Sequence, residues 1–590
     1  MRKREAMTQK DRKFPDPREI EKEISQFLSE KFGGRVKLIS PVVIPAEAPD
    51  QKEEKPRKQK KIDFSLKPEE LEAYLDQYVV KQSEAKAILA TKICTHFHRI
   101  KQARSSNGED DAIVGNIKNN ILMIGPTGVG KTYMIKLIAD KIGVPMVKGD
   151  ATKFSETGYV GGDVEDLVRD LVREADNDIK LAQYGIIYID EIDKIASSRN
   201  LVGPDVSRTG VQRALLKPME ETDIDLRVPH DPISMLEEIE RYRKTGKRKK
   251  HYINTKNILF IMSGAFNDLA EIIKKRMVDQ GIGFGAAIRS RSDSIEYLKH
   301  VKPEDLIKYG FESEFIGRLP VISVFEKLTE DDLFAILKNP NNPIILSKKL
   351  DFKAYNIAVK FDDGALREIA RLAYKDGTGA RGLTSVIEKI LIKLEKRLPS
   401  TGIKKVPVTE EVVKDPESAL KKILSVSNRS WREKTYEKLA QQEKESIKQY
   451  VTHHSAMLTE KYGIELTPSR IDLIAEIYGS GTSDVAAVIK KIKNYRDQIK
   501  NMEAYFHKTH ALNIILDQDC IDLIILRMNS SPTALGEFYK ELTSKFEYGF
   551  KLIRDRTGQT TFVITKEGLE NPQQFLDDLV KESYVKDDPS

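Results

Sequence analysis

The stretch Ile121-Leu122-Met123-Ile124-Gly125-Pro126-Thr127-Gly128-Val129-Gly130-Lys131-Thr132 decides the fold. Ile121 to Ile124 read as a short strand buried in a parallel sheet. Gly125 to Thr132 then fits G-x-x-x-x-G-K-[ST]. Glycine admits backbone angles that other residues resist, so successive N–H groups can turn inward and cradle phosphate oxygens. The same pattern places Lys131 on the β- and γ-phosphates of a nucleotide and the Thr132 hydroxyl on Mg²⁺. A helical pattern follows from Tyr133 to Ile142 and aims its positive end at the same anion. A plain glycine turn would share these letters, but strand before and helix after are the context a phosphate loop needs.

Outward from this loop, Ile186-Ile187-Tyr188-Ile189-Asp190-Glu191 reads as a second buried strand ending in two acids. The carboxyl end of a parallel strand beside a phosphate loop is where a metal-linked carboxylate belongs. Asp190 is expected to orient Mg²⁺-bound water, and Glu191 to take the proton of the attacking water. Asn257 to Ser263 reads as a third buried strand with a polar end. These elements predict an α/β fold with a P-loop that binds and cleaves a nucleoside triphosphate, a parallel sheet flanked by helices.

Composition sets the outer bounds. A chain of 590 residues should hold several domains, and 40% hydrophobic with 32% charged residues is ordinary for a globular protein. The two cysteines, Cys94 and Cys520, are far apart, which argues against a disulfide framework and fits a reducing, cytoplasmic setting. No apolar run reaches the roughly 20 residues of a membrane span. The basic N-terminus lacks the apolar core of a signal peptide. A net charge of +7 permits nucleic-acid contact without requiring it.

Other stretches stay open on residue chemistry alone. Ile20, Ile24, Phe27, Leu28 and Phe32 have helical spacing, and a Pro-, Glu- and Lys-rich linker follows. Thr157-Gly158-Tyr159-Val160-Gly161-Gly162 is either a loop with an exposed apolar tip or a tight turn that packs Tyr159 inward. Arg241 to His251 is nearly all basic and reads equally as an electropositive surface or a solvated loop. Gly281-Ile282-Gly283-Phe284-Gly285 is a core turn or a docking plug. Arg318 ends a helix, Arg381 falls between two helices, and either would pass for a surface salt-bridge residue.

Taken in order, Gly-Pro-Thr-Gly-Val-Gly-Lys-Thr (125–132), Gly-Tyr-Val-Gly (158–161), Tyr-Ile-Asp-Glu-Ile-Asp-Lys (188–194), Gly-Ile-Gly-Phe-Gly (281–285), Glu-Phe-Ile-Gly-Arg-Leu-Pro (314–320) and Thr-Gly-Ala-Arg-Gly-Leu (378–383) resemble ClpX, the AAA+ protein unfoldase family of bacteria. The resemblance covers roughly residues 64–400. It implies a large α/β ATPase domain, a small helical domain, a homohexameric ring, polypeptide substrates and a ClpP-type peptidase partner, with no membrane and no required nucleic acid. It makes Tyr159 and Val160 the pore loop that grips a polypeptide, and Arg208 the tip of a second pore loop over 202–210. It makes Arg318 the finger that reaches a neighbour's γ-phosphate and Arg381 the sensor of nucleotide state. Val79 and Val80 match the segment beside adenine, Ile282, Gly283 and Phe284 the peptidase-docking tripeptide, and Ser263 falls near the sensor-1 position. Pro126, Thr127, Gly128, Val129 and Gly130 complete the phosphate loop. The expected function is ATP-driven unfolding and translocation. A ring ATPase that remodels protein or nucleoprotein assemblies without proteolysis is the alternative.

The chain also departs from the family. ClpX begins with a four-cysteine zinc domain, and the first 62 residues here contain no cysteine. The gap from Thr132 to Ile186 is too short for the insertion of the related HslU family. The expected division is a short helical segment over 1–43, a charged linker over 44–62, a large ATPase domain over 63–325, a small domain over 326–404, and an added, mostly helical α+β region over 405–590. In that added region, segments from Ile464 and from Ile514 repeat the strand-then-helix pattern from Val359, which predicts small-domain-like modules without the sensor arginine. Residues 430–462 read as a charged spacer helix, and Tyr548 to Gly558 with Thr561 to Thr565 as a terminal hairpin.

Overall fold

The computed structural model describes residues 62, 64–105, 118–154, 163–196, 206–226, 252–280, 294–481, 483–531 and 534–585. The segment 19–32, the linker up to Lys61 and the basic stretch 241–251 lie outside them.

The first part of the chain runs α1 (Pro68–Asp76), α2 (Ser83–Ser105), β1 (Ile121–Ile124), α3 (Lys131–Ile142), β2 (Met146–Asp150), α4 (Val164–Glu174), α5 (Ile179–Ala182) and β3 (Ile186–Asp190). It continues through α6 (Val206–Met219), β4 (Asp223–Asp225), β5 (Tyr252–Asn254), β6 (Leu259–Gly264), α7 (Leu269–Gln280), α8 (Ser294–Leu298), α9 (Pro303–Tyr309), α10 (Ser313–Gly317) and β7 (Val321–Val324). Five strands form one parallel sheet in the order β2-β3-β6-β1-β7. A parallel sheet needs crossover helices, which cover both faces, so its three central strands, β3, β6 and β1, are apolar without alternation. The side chains divide accordingly. Ile121 and Met123, Ile186 and Tyr188, and Leu259 and Ile261 enter one core, while Leu122 and Ile124, Ile187 and Ile189, and Phe260 and Met262 enter the other. Strands β3 and β6 carry their polar ends, and β1 the phosphate loop, to one end of the sheet.

The first of those cores runs on into a second unit: α11 (Glu330–Lys338), α12 (Pro343–Lys353), β8 (Ala358–Phe361), α13 (Asp363–Lys375), α14 (Ala380–Arg397), β9 (Lys405–Val408), α15 (Glu410–Lys414) and α16 (Pro416–Leu424). Strand β9 pairs in parallel with β8, so the expected division at 404/405 cuts through a two-stranded sheet. Val406, Val408, Val412 and Ile423 belong to the same core as Val359, and the unit ends after α16.

After α17 (Arg429–His453) and α18 (Ser455–Tyr462) the same order returns: α19 (Pro468–Ser480), α20 (Val485–His510), β10 (Asn513–Leu516), α21 (Gln518–Ser530), α22 (Ala534–Thr557), β11 (Thr561–Ile564), α23 (Lys566–Glu570) and α24 (Pro572–Val585). Here too the two strands pair in parallel. Asp362 and Asp517 stand at matching N-caps, Thr409 and Thr565 at the next pair, and Pro416 and Pro572 open the last helices. The second unit therefore duplicates the first.

Three expectations for this region are corrected. The segment from Ile464 forms no strand; Pro468–Ser480 is the opening helix of the duplicate, the counterpart of α11 rather than of β8–α13. The terminal hairpin is absent, because Tyr548 to Thr557 continues α22 and β11 pairs with β10. Gly549 is no turn residue: a Cβ there would stand 2.7 Å from Leu576 Cδ2, so glycine lets α24 approach closely. Finally, α17 is not a spacer. It buries Tyr436, Leu439, Ile447 and Val451 and sets the Glu443 carboxylate between the ammonium groups of Lys349 and Lys360.

Candidate active site

The phosphate loop leaves β1 at the carboxyl end of the sheet. Gly128 (φ +75°) and Gly130 (φ +97°) adopt left-handed backbone angles that strain any other residue, and Gly130 is the N-cap of α3. The loop thus hands directly to a helix N-terminus, whose unpaired N–H groups and dipole favour an anion. Lys131 is buried, and its ammonium donates to the carbonyls of Gly125 and Pro126, the latter at 2.8 Å. Burial, with a smaller contribution from the charge of Arg381, pulls its pKa down to about 8 against the opposing pull of Asp190 and Asp193. An ammonium held this way gains from any anion that enters the loop.

Thr132 starts a chain of side chains across the sheet. Its Oγ1 lies 3.0 Å from the Tyr188 hydroxyl, which lies 2.6 Å from Ser263 Oγ, which in turn donates to Asp190 Oδ1 at 2.6 Å. Lys148 of β2 donates to the other oxygen, Oδ2, at 2.8 Å. Burial alone would raise the Asp190 carboxyl, but the Lys148 and Ser263 hydrogen bonds prevail and hold it below its ordinary value. Asp190 is therefore ionised at neutral pH. Burial pushes the Tyr188 phenol up to about 12, so it stays protonated.

Glu191 follows in a left-handed turn (φ +58°), its N–H donating to Asp190 Oδ1 at 3.1 Å and its side chain exposed. A glutamate in this region is unusual, and such conformations cost about 1–3 kcal/mol and gather at functional sites. Here the turn breaks the inward alternation of β3.

One further predicted group borders the loop. The turn before α14 touches it directly: the Ala380 N–H donates to the Gly128 carbonyl at 2.8 Å, and a Cβ on Gly128 would collide with the Thr378 carbonyl. Arg381 lies in the first turn of α14, inside the helix rather than between helices, with its side chain exposed. Val79 is buried and Val80 half-buried, just before a double hydrogen bond between the Gln82 amide and the Glu326 backbone (2.7 and 2.8 Å). That bond ties the segment to the junction between β7 and α11.

Arg318 is not part of this cluster. It follows α10, its carbonyl accepts from Asn120 Nδ2 at 3.1 Å, and its guanidinium pairs with Glu220 at 2.5 Å. Asn120 directly precedes β1, so Arg318 sits at the amino end of the sheet, about 13 Å of strand from the phosphate loop. Tyr159, Val160, Ile282, Gly283 and Phe284 lie outside the described residues, and Arg208 belongs to α6 with its side chain outside them. Sequence reasoning gave no role to Tyr188 or Lys148 and noted Ser263 only by position. The available signal was a phenol set among the aliphatic side chains of β3.

A phosphate loop after β1, paired acids at the end of β3 and a serine-bearing strand between them define a P-loop ATPase of the AAA class. Residues 116–322 match the AAA domain (Cdc48 subfamily), and residues 328–406 match the C-terminal, D2-small domain, of ClpB protein. The ATP-dependent Clp protease ATP-binding subunit ClpX of Treponema denticola is 40% identical over 351 residues, 59% of this chain and 81% of that protein. The chain belongs to the ClpX family of Clp-type AAA+ ATPases, and it hydrolyses ATP. Among the described residues no helix is long and apolar enough to cross a membrane.

Proposed function

We propose that the chain is an ATP-driven protein unfoldase and translocase that works as a homohexameric ring. The observation that carries this is the incompleteness of the single chain: Lys131, Thr132, Asp190 and Glu191 gather at one end of the sheet, while Arg318 stands at the other. A neighbouring copy that turned its Arg318 toward this loop would complete the site. An arginine supplied across an interface is worth about 10³–10⁵ in rate in other NTPases.

The residues also suit Mg²⁺. An ionised carboxylate and a threonine hydroxyl joined by one hydrogen-bond chain are hard oxygen donors, the kind this cation takes. When bound, Mg²⁺ would offset charge on the β- and γ-phosphate oxygens. Thr132 and Asp190 would hold it, and Lys131 would lie along the same oxygens. Glu191 takes a proton from water as the water oxygen bonds to the γ-phosphorus and the bond to the β-phosphate oxygen breaks, which releases ADP and phosphate. Val79 and Val80 flank the base. Arg381, one residue beyond the Ala380–Gly128 hydrogen bond, carries the state of the loop into α14.

In this reading Tyr159 and Val160 drag the polypeptide by van der Waals contact, with Arg208 in a second loop, and Ile282, Gly283 and Phe284 dock a ClpP-type peptidase. The experiment is ATP-dependent loss of fluorescence from a tagged fluorescent protein. Tyr159→Ala should leave ATP hydrolysis within about twofold while unfolding drops at least about tenfold, effects set by the loss of an aromatic grip. Unfolding at the normal rate would remove the pore role. Phe284→Ala should abolish degradation in the presence of the peptidase and leave unfolding intact; degradation at the parental rate would refute the docking role.

A further inference from the structure

We propose that Tyr188 is a positioning residue that fixes the direction of the Thr132 hydroxyl, so that Thr132 offers Mg²⁺ lone pairs and not a proton. The inference rests on the Mg²⁺ reading above and adds a residue to it.

Each hydroxyl has a single proton to give. Asp190, as a carboxylate, only accepts, and it takes the single hydroxyl proton of Ser263 at 2.6 Å. Ser263 Oγ then has only lone pairs left, so its 2.6 Å contact with the Tyr188 hydroxyl is a hydrogen bond only if Tyr188 donates. That uses the phenol's one proton. The 3.0 Å contact between Tyr188 and Thr132 Oγ1 is then a hydrogen bond only if Thr132 donates. All three hydroxyls therefore point the same way, toward one anchored negative charge, and Lys148 holds the far side of that charge at 2.8 Å. Alone, a threonine hydroxyl hydrogen rotates among several positions, and some of them would aim it at an incoming cation.

The fold makes the chain possible. Ile189 is in register with Met262 between β3 and β6, which brings Asp190 and Ser263 side by side one step further along. Tyr188, two residues before Asp190, points to the same face of β3 as that carboxylate, and its hydroxyl reaches Thr132 Oγ1 in the first turn of α3. Tyr188 and Ser263 are both completely buried, so water cannot replace a missing link.

The test uses the full chain and follows fluorescent ADP binding in EDTA and at stepped free Mg²⁺, with Mn²⁺ replacing Mg²⁺ in a parallel EPR titration. Tyr188→Phe removes one oxygen. ADP affinity in EDTA should stay within about twofold of the parent, whereas the metal concentration for half-maximal response should rise about tenfold, the lower end for groups that orient a metal ligand. Ser263→Ala breaks the next link and should shift the metal response in the same direction, so it decides the matter if Tyr188→Phe fails to fold. An unchanged metal response, or an equal loss of ADP affinity with and without metal, would overturn the positioning role. A parent protein indifferent to Mg²⁺ would instead overturn the metal reading itself, before any variant is compared.

Discussion

Glu191→Gln will bind ATP and fail to turn it over. The substitution keeps the size of the side chain and the left-handed turn at φ +58°, and the backbone N–H still donates to Asp190 Oδ1. What it removes is the group that accepts a proton from water. General-base catalysis contributes about 10²–10⁴ in rate, so hydrolysis should fall by at least about a hundredfold. Affinity for ATP should hold, because Lys131, Thr132 and the glycines of the loop are untouched. Rapid-quench separation of ADP from ATP gives the rate, and equilibrium binding of radiolabelled ATP gives the affinity. Hydrolysis at the parental rate would move the base elsewhere. Asp190→Asn should differ in kind: it removes the charge that orders Ser263, Tyr188 and Thr132, so the metal dependence should suffer along with the rate.

The contrast between these two acids shows what a sequence can carry. The phosphate loop is local: its glycine positions, flanking strand and following helix all lie within residues 121–142, and each obeys a short-range rule. The acids of β3 were legible because a buried apolar run that ends in charge can only end at the rim of a sheet. Tyr188 was not legible in the same way. Its partners Thr132 and Ser263 are 56 and 75 residues away, and they meet only because the strand order sets β6 between β3 and β1. Arg318 shows the same limit from the other side, since its letters suit a surface ion pair and it does make one, with Glu220.

The added region is the least legible in sequence, for a related reason. Apolar residues at helical spacing after a short apolar run fit the segments from Val359, Ile464 and Ile514 alike. Whether such a run becomes a strand depends on a distant partner. Ile514 finds one in Phe562 and Val359 finds one in Val406, but Ile464 is buried without a strand. The polar surface of α17 made it look like a spacer, because its stabilising contact is ionic and comes from two lysines on other elements. Asn341 marks how far the added region is built in. Its amide donates to the Gln77 carbonyl, two residues before Val79, and to the Tyr450 hydroxyl, and its oxygen accepts from the Val485 N–H. One buried side chain thereby joins the ATPase segment, the small unit and the duplicate.

Glu443→Ala will loosen that join more than any other single change in the added region. The Glu443 carboxylate sits between Lys349 of α12 and Lys360 of β8, and both ammonium groups are buried. The two lysines hold its carboxyl below the usual glutamate range despite burial. With the carboxylate gone, two positive charges face each other without a counter-ion, and removing one partner of a buried pair costs about 3–5 kcal/mol. Differential scanning calorimetry should show the transition of the small unit and its attached helices lowered by roughly 10 °C, the shift such a loss gives in a unit of this size. The sign of the pH dependence gives a second check. A glutamate with a depressed pKa stabilises the fold above its unfolded value, near 4.3, and loses that contribution as pH falls through the folded value. The gap in melting temperature between parent and variant should therefore be full at neutral pH and close in acid. Replacing all three groups, as Lys349→Met, Lys360→Met and Glu443→Leu together, leaves no unpaired charge and should restore most of the lost stability. If Glu443→Ala alone melted with the parent, α17 would hold to the β8–β9 sheet by its apolar face, and the ion cluster would add nothing.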